Sequence, residues 1–345
     1  MRPVVAIDAR LVSGQSTGDS TYWRGLLTGL AELKADIGLL LLSNAGPGPS
    51  VPEIPGAQWH KVGPTNPRLW SLVGFPLAAR RLGASVVHTQ YTLSPLTGKT
   101  GVTTVHDVSF LIEPSWFEPK DRFLLSRTVP AALARCARAI TVSETSRSEI
   151  ERHVPAARGK VAVTPLAPAP GIAPPGSLEG LRVPDRYLLA IGTPWRRKNV
   201  ALAVEVAKRA GLPLVLTGRA EEGLGDHVIK VGYVSEAALS ALYAHALALL
   251  VPSFHEGFGL PVVEGFACGC PVVCSEGGSL PEVAGGAALV VPGFDSDEWA
   301  SQVSRIVQDA SILLAMRKQG RERARDFSWK LCAERTIEVY REVAG

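Results

Sequence analysis

The sequence predicts two doubly wound α/β domains that face each other, and three observations lead to this prediction. The chain has 345 residues, more than one hydrophobic core usually organises, since domains mostly contain roughly 100 to 200 residues. Short apolar runs alternate with amphipathic stretches of helical length, which is typical of a parallel sheet covered by helices. This alternation occurs twice, on either side of a proline-rich segment.

The first domain is predicted to span residues 1–168. Its alternation of buried runs and helical patterns gives the following elements: strands Val4–Ile7, Ile37–Leu42, Ser85–His88, Val102–Val105, Ala139–Val142 and Val161–Val163, and helices near 20–34, 119–136 and 144–153.

A linker is predicted at residues 169–184, inside a stretch from 164 to 184 that holds six prolines and three glycines. The second domain, 185–326, then repeats the pattern: strands Tyr187–Ile191, Leu214–Thr217, Leu247–Val251, Pro271–Cys274 and Ala288–Val291, and helices near 199–210, 236–245, 260–268, 279–284, 297–309 and 311–326. A last helix near 329–343, within residues 327–345, is expected to pack back on the first domain.

Composition excludes several classes of protein. With 46% apolar and 20% charged residues, the chain is neither disordered nor fibrous. The net charge of +4 is too small to indicate nucleic-acid binding. The longest apolar stretch, 237–254, is broken by polar residues and a proline, so no transmembrane helix is predicted. The short apolar start reaches Asp8 too soon for a signal peptide, and we expect a cytoplasmic protein.

Three of the five cysteines fall within Cys268–Cys274. Their spacing matches no zinc signature, and an odd number argues against a disulfide framework. We interpret them as small apolar side chains where a helix end leads into a buried strand, with metal ligation as the alternative.

The segment 250–264 carries the strongest local signal for a binding site. A buried strand ends at Pro252, a glycine-containing loop follows, and Pro261 fits the first turn of a helix. The backbone amides of Phe258, Gly259 and Leu260 would then point out of the helix N-terminus and offer an anion site. Glu256 and Glu264 lie on either side of them, as acceptors for sugar hydroxyls. The alternative is that Glu264 only complements the helix dipole.

A basic loop, Gly192–Asn199, follows the strand Tyr187–Ile191 and includes Arg196, Arg197 and Lys198. In open α/β sheets ligands bind beyond the carboxyl ends of strands, so these cations are expected to neutralise a diphosphate there. A solvated basic turn is the alternative. Asn199 is predicted to cap the following helix.

Two further patterns are ambiguous. Asp295-Ser296-Asp297 has the spacing of a metal-binding D-x-D motif, but it directly precedes a helical pattern, and we interpret the acids as helix caps. Ser279 and Glu282 form a capping-box pattern, while Gly277 and Gly278 before them would also allow close approach to a ligand.

These residues together resemble the retaining GT-B glycosyltransferases of family 4. Glu256–Glu264 resembles that family's E-x7-E signature, Gly192–Asn199 its Arg-Lys-Asn phosphate loop, and His106–Phe110 its His-Asp strand end. The closing Phe327-Ser328-Trp329 is also similar, so the resemblance covers nearly the whole chain. It implies two Rossmann-like domains facing a central cleft.

The resemblance also implies roles for single residues. The second domain would bind a nucleotide diphosphate sugar, and the first domain would bind the acceptor. The implied assignments are these: Arg196, Arg197 and Lys198 at the diphosphate, Glu264 at the ribose, Glu256 with the amides of Phe258, Gly259 and Leu260 at the donor sugar, Val231–Val234 beside the base, Gly14–Gly18 over the phosphates, and His106 at the reaction centre.

The sequence departs from the family pattern at two positions. Thr193 stands where many members have arginine, so Arg196 or Arg197 must supply that charge. Asp19 follows Gly18, and this acid would meet the acceptor or cap the helix near 20–34. His88, at another strand end, is a weaker candidate than His106 for the reaction centre.

The predicted function is transfer of a hexose, with mannose from GDP-mannose favoured, to an acceptor hydroxyl with retention of configuration. The acceptor is expected to be a saccharide or a lipid-linked saccharide, and no metal or other cofactor is expected. The alternatives are a nucleotide-sugar epimerase or phosphorylase on the same fold, or a non-catalytic sugar-nucleotide sensor. Residues 1–180 carry 18 basic against 13 acidic side chains. Together with the apolar-basic run 116–138, this excess raises peripheral membrane contact as a second interpretation of the run, while core packing is the favoured one.

Overall fold

The computed structural model describes residues 2–12, 18–48, 51, 53–173, 176–192, 195–219 and 222–345. The chain divides into two compact units, which we call unit 1 (Met1–Leu166 with Ser328–Gly345) and unit 2 (Ala167–Phe327). The predicted linker, residues 169–184, has neither helix nor strand in its described part and belongs to unit 2.

Unit 1 is built on a parallel seven-stranded sheet with the order β3-β2-β1-β4-β5-β6-β7. Its strands are β1 Val4–Asp8, β2 Gly38–Ser43, β3 Ala57–Lys61, β4 Val86–Gln90, β5 Gly101–Thr104, β6 Arg138–Thr141 and β7 Val161–Val163. Its helices are α1 Gly18–Glu32, α2 Pro67–Leu69, α3 Phe75–Arg81, α4 Ser109–Ile112, α5 Pro119–Arg135 and α6 Glu144–His153, and one π-helical turn, Trp70–Gly74, joins α2 to α3.

Unit 2 is built on a parallel six-stranded sheet with the order β10-β9-β8-β11-β12-β13. Its strands are β8 Leu188–Gly192, β9 Leu214–Gly218, β10 Val228–Gly232, β11 Ala248–Val251, β12 Val272–Cys274 and β13 Leu289–Val290. Its helices are α7 Val200–Arg209, α8 Glu236–His245, α9 Leu260–Ala267, α10 Leu280–Ala284, α11 Ser296–Gln308 and α12 Ala310–Ala324, while the last helix of the chain, α13 Trp329–Ala344, belongs to unit 1.

Helix α13 packs closely against α1, and two glycines of α1 allow this. A β-carbon on Gly25 would overlap the Trp329 ring, and one on Gly29 would overlap the Trp329 carbonyl group. Glycine at both positions therefore lets the two helices approach at backbone distance. The buried face of α13 includes Tyr340, whose hydroxyl lies 2.7 Å from Nδ1 of His88 in β4.

The sequence analysis did not predict strands β3 and β10, and both lie at sheet edges. In β3 every residue is at least partly exposed, as is every residue of β10, so neither segment shows the apolar run that marks the central strands. The helical segment from Pro67 to Arg81 was also missed, because prolines and glycines interrupt its pattern.

The five cysteines are buried free thiols. Burial raises the pKa of Cys268 to about 11 and that of Cys270 to about 12. Within the part of the chain that the structure describes, no group of three or more His, Cys, Asp or Glu side chains is placed to hold a metal ion. Cys268–Cys274 runs from the end of α9 into β12, as the packing interpretation expects.

Candidate active site

The basic loop and the Glu256 loop meet where the strand order of unit 2 reverses. Strand β8 has β9 on one side and β11 on the other. The chain therefore adds β9 and β10 on one side of β8 and then continues with β11 on the opposite side. Ligands of open α/β sheets bind at this position, outside the carboxyl ends of the strands. The loop after β8 carries Arg197 and Lys198, and the loop after β11 carries Glu256.

Glu256 is buried and surrounded by hydrogen-bond donors. Nζ of Lys198 lies 2.5 Å from Oε1 and 2.7 Å from Oε2 of Glu256, and Nη1 of Arg197 lies 3.4 Å from Oε2. The Ser253 hydroxyl donates to Oε1 at 2.7 Å. Burial alone would raise the pKa of Glu256, but the adjacent charges of Lys198 and Arg197 outweigh it, and the net pKa lies below the ordinary value. Glu256 is therefore ionised at neutral pH.

Backbone contacts fix the two loops to each other. The Phe254 amide donates to the Arg197 carbonyl at 2.7 Å, and the Arg197 guanidinium donates to the His255 carbonyl at 3.2 Å. The turn before α10 also packs closely on this loop. A β-carbon on Gly278 would overlap the Glu256 backbone, so glycine is needed for this close approach. The position of Glu256 is thus held from both sides.

The start of α9 carries the predicted free amides. Gly259 adopts φ +97°, a left-handed conformation that favours glycine, and the helix begins at the next residue with Pro261 in its first turn. Among the described residues, the amides of Phe258, Gly259 and Leu260 donate to no backbone carbonyl. Three donors are available at this helix start, as the sequence predicts for an anion site.

Glu264 lies one turn inside α9 and is 8% exposed. The Tyr243 hydroxyl donates to its Oε2 at 2.9 Å, and the Ala169 amide donates to its Oε1 at 3.4 Å. Burial raises the pKa of Glu264 to about 7, although both hydrogen bonds act in the opposite direction. Glu264 therefore titrates near neutral pH, whereas Glu256 stays ionised.

In unit 1, His106 follows β5 at the carboxyl edge of the sheet. Its Nε2 lies 2.9 Å from Nε2 of Gln90 and 3.6 Å from a carboxylate oxygen of Asp19. With the Gln90 amide as donor, the ring accepts at Nε2 and carries its proton on Nδ1. Burial lowers the pKa of His106, and the nearby Asp19 and Asp107 offset only part of this effect. The ring is neutral at neutral pH.

The other candidates of unit 1 have different surroundings. His88 is fully buried between Tyr340 and Thr104, and burial lowers its pKa to about 3, so it is a core residue. Gly18 is the first residue of α1, and Asp19 in the same turn faces His106. Residues 14–17 of the predicted phosphate loop lie outside the described residues.

Three candidates of unit 2 remain: Arg196, Val234 and Thr193. Arg196 is exposed, and Val234 is half-buried in the loop after β10, at the edge of the sheet. Thr193 lies outside the described residues.

Three capping predictions have different outcomes. Asn199 occupies the N-cap position of α7, as predicted, but in a left-handed conformation and without a capping side-chain hydrogen bond. Ser279 precedes α10, but its hydroxyl donates to the Glu256 carbonyl at 3.0 Å instead of capping the helix, so the predicted capping box is wrong. Asp295 caps α11 by accepting from the Asp297 and Glu298 amides, as predicted.

Sequence reasoning missed three hydrogen-bond partners of the candidate residues: Ser253, Tyr243 and Gln90. Ser253 is near enough in sequence to Glu256 to have been proposed from spacing. Tyr243 contacts Glu264 from α8, and Gln90 contacts His106 from β4. Only tertiary packing brings these two pairs together.

Comparison with known proteins identifies the family. The family "Glycosyltransferase Family 4" matches residues 17–167, and "Glycosyl transferases group 1" matches residues 179–325. The chain is 35% identical over 266 residues to the O-antigen chain mannosyltransferase B of Escherichia coli, with 70% of each chain covered. The chain belongs to glycosyltransferase family 4. This family 4 member is also 29% identical over 289 residues to a D-inositol 3-phosphate glycosyltransferase of Saccharomonospora viridis, with 77% of this chain and 66% of the relative covered.

A solved structure supports the same fold. Sucrose-phosphate synthase from Thermosynechococcus elongatus is similar with a TM-score of 0.75 and 21% identity over 99% of both chains. The predicted GT-B fold is confirmed, as is the prediction of a glycosyltransferase enzyme. The epimerase, phosphorylase and sensor alternatives are not favoured. No helix among the described residues is long and apolar enough to cross a bilayer.

Proposed function

We propose that this family 4 glycosyltransferase moves mannose from GDP-mannose to a saccharide hydroxyl, with retention of configuration and without a metal ion. One observation carries the proposal: two cations contact the buried Glu256 where the strand order of unit 2 reverses, and three free amides and the buried Glu264 follow at the start of α9. The name of the Escherichia coli relative supports mannose as the sugar.

The diphosphate is assigned to Lys198, Arg197 and the amides at the start of α9. Fixed positive groups of this kind supply the charge that a metal supplies in other transferases. The oxygens of Glu256 are occupied by Lys198, Arg197 and Ser253. Diphosphate binding therefore draws Lys198 away from Glu256 and frees carboxylate oxygens for a hydroxyl of the donor sugar.

The two carboxylates of the E-x7-E pattern have different assigned partners. Glu256 accepts hydrogen bonds from the donor sugar, and Glu264 accepts them from the ribose. Since the pKa of Glu264 is about 7, ribose binding favours its ionised form and releases a proton below that pH. The base is assigned to the loop that contains Val234.

His106 of unit 1 is assigned to the reaction centre as a neutral hydrogen-bonding group. The bond from the sugar carbon to the diphosphate breaks as the acceptor oxygen forms its bond on the same face. The proton of the acceptor hydroxyl passes to the departing phosphate oxygen. Neither Glu256 nor His106 needs to form a covalent bond in this route.

The acceptor is assigned to the saccharide class, either soluble or lipid-linked, and the reaction to the cytoplasm. A second candidate acceptor, D-inositol 3-phosphate, is favoured by the name of the Saccharomonospora viridis relative. An acceptor screen that contains inositol phosphate and mannose-terminated oligosaccharides separates the two.

A donor screen tests the proposal. GDP and UDP are titrated by calorimetry, and thermal shifts are measured with GDP-mannose and UDP-sugars, where a ligand at about 100 times its Kd adds roughly 2.7 kcal/mol of stability. The expected result is selective stabilisation by GDP-mannose, and NMR of the product should show the anomeric configuration of the donor.

Two variants with the same loss of charge control the donor screen. Lys198→Ala should lose affinity for GDP, while Arg209→Ala, which removes a cation of α7 paired with Glu205 and Asp297, should retain it. Stabilisation by UDP-sugars instead of GDP-mannose, or an inverted product, would refute the proposal.

A further inference from the structure

Exposed apolar side chains of unit 1 are concentrated in one segment of the chain. Of the thirteen large hydrophobic side chains that are exposed in the described part of the chain, six lie between residues 69 and 96. We define the apolar face by five of them: Leu69, Leu72, Val73, Leu77 and Leu96, which are 37–54% exposed. Clustered exposed apolar residues mark interaction sites more often than scattered ones do.

The local fold explains why these residues face outward. Trp70 and Phe75 stack at 4.9 Å between ring centroids and are buried, so they fix the inner side of the segment. Leu72 and Val73 lie in the π-helical turn between them and point away from that core. The Ser94 hydroxyl donates to the Leu72 carbonyl at 2.6 Å and brings the loop of Leu96 alongside.

Cationic residues flank the apolar face along the chain. Arg68, Arg80, Arg81 and Lys99 are exposed, and each lies within four residues of a member of the face. Residues 54–106 contain five lysines and arginines and no acidic residue. The net charge of this segment is +5, which equals the net charge of residues 1–180, with 18 basic and 13 acidic side chains.

The apolar face is also anchored to the carboxyl edge of the sheet. Arg10, just after β1, bonds to Asp8, donates to the Ser71 hydroxyl at 2.9 Å and stacks over the Trp70 ring at 4.0 Å. The segment that carries this face is therefore fixed to the carboxyl edge of the sheet, the edge at which His106 follows β5.

We propose that the apolar face docks on an anionic lipid bilayer, with the leucines entering the interface and the flanking cations binding lipid headgroups. Apolar side chains flanked by lysine and arginine have this chemistry. A second copy of the chain is a poorer occupant, since a two-fold contact would place the cations of both copies against each other. The inference rests on the proposed function in one respect: a lipid-linked acceptor would be bound at the membrane surface on which this face docks.

The run 116–138, for which membrane contact was the second interpretation, has two exposed large apolar side chains, fewer than the segment 69–96. Phe123 and Leu124 of α5 are exposed, but Phe117 and Leu125 pack against the core of unit 1. Phe123 and Leu124 thus provide a matched control pair in the same unit.

The test is flotation of the full chain, without nucleotide, on vesicles of phosphatidylcholine with and without phosphatidylglycerol. Wild-type protein should float with the anionic vesicles and detach at high salt. Leu69→Glu with Leu72→Glu should lower the partition coefficient about tenfold or more, whereas Phe123→Glu with Leu124→Glu should leave it unchanged. Replacing Arg80 or Arg81 by Gln should weaken binding to anionic vesicles about fivefold each.

Several results would overturn the proposal. These are absence of wild-type flotation, equal loss in the two Glu pairs, loss only in the Phe123 and Leu124 pair, or a wild-type dimer that the Leu69 and Leu72 pair converts to monomer. Transfer to a water-soluble acceptor separates this inference from the proposed function. That activity should be unchanged in the Leu69 and Leu72 pair, and vesicle binding without any mannosyl transfer would support the lipid face and refute the proposed reaction.

Discussion

Replacing Glu264 by Gln tests whether this buried carboxylate titrates near neutral pH. Burial raises the pKa of Glu264 to about 7 from an ordinary 4.5, a difference that corresponds to roughly 3 kcal/mol. Between these two pH values the folded protein binds more protons than the unfolded chain. The free energy of unfolding therefore falls as pH rises from 4.5 to 7, and above pH 7 it stays lower by that amount.

Glutamine keeps the volume of the side chain and cannot ionise. Its carbonyl can accept from the Tyr243 hydroxyl as Glu264 does, and the weak 3.4 Å bond from Ala169 is lost. At pH 5 the variant should match the wild type or be slightly less stable. At pH 8 unit 2 of the variant should be more stable by roughly 2 to 3 kcal/mol.

Hydrogen exchange of the α9 amides along a denaturant series measures this stability. It reports on unit 2 alone, and a chain of two units need not unfold in one step. A stability difference between wild type and variant that is the same at pH 5 and pH 8 would refute the assigned pKa of Glu264.

Calorimetry with GDP gives a second readout of the same group. At pH 6 about a tenth of a carboxyl with pKa near 7 is ionised. If the ribose donates to the carboxylate, wild-type affinity should fall about tenfold from pH 8 to pH 6 relative to Glu264→Gln. Titration of the GDP phosphate affects both proteins equally. A constant affinity ratio would exclude Glu264 from the ribose site.

Three further predictions concern the diphosphate side of the site. Glu256→Gln should lower turnover at least about a hundredfold, on the scale of losing one preorganised polar contact, and near-normal kcat in the folded variant would remove its assigned role. Lys198→Ala should weaken GDP binding by about 1.5 to 3 kcal/mol, and calorimetry that finds unchanged affinity would leave the loop as a surface turn. Activity should survive EDTA, and Asp295→Asn with Asp297→Asn should retain turnover. Loss with EDTA that magnesium or manganese restores, together with an inactive double variant, would contradict the metal-free proposal.

Most central elements of both sheets could be predicted from the sequence, because a strand buried on both faces is a short apolar run whatever surrounds it. The edge strands β3 and β10 could not, since each is partly solvated and mixes polar with apolar residues. The close packing of α13 on α1 could not be predicted from the sequence either. In sequence, Gly25 and Gly29 are only residues of low helix propensity, and the structure shows that Trp329 packs directly against both.

The candidate site could be located from the sequence, but the charge states of its acids could not. Glu256 and Glu264 are separated by seven residues, and both were interpreted as acceptors facing one crevice. Their pKa values move in opposite directions for reasons outside that segment. Lys198 comes from the loop after β8, whereas the hydrogen-bond donors to Glu264 among the described residues are the neutral Tyr243 hydroxyl and a backbone amide, and the Glu236 carboxylate also raises its pKa. The helix dipole, the alternative explanation for Glu264, would favour its ionised form. Burial instead raises the pKa of Glu264 to about 7, so complementing the dipole does not by itself account for an acid at this buried position.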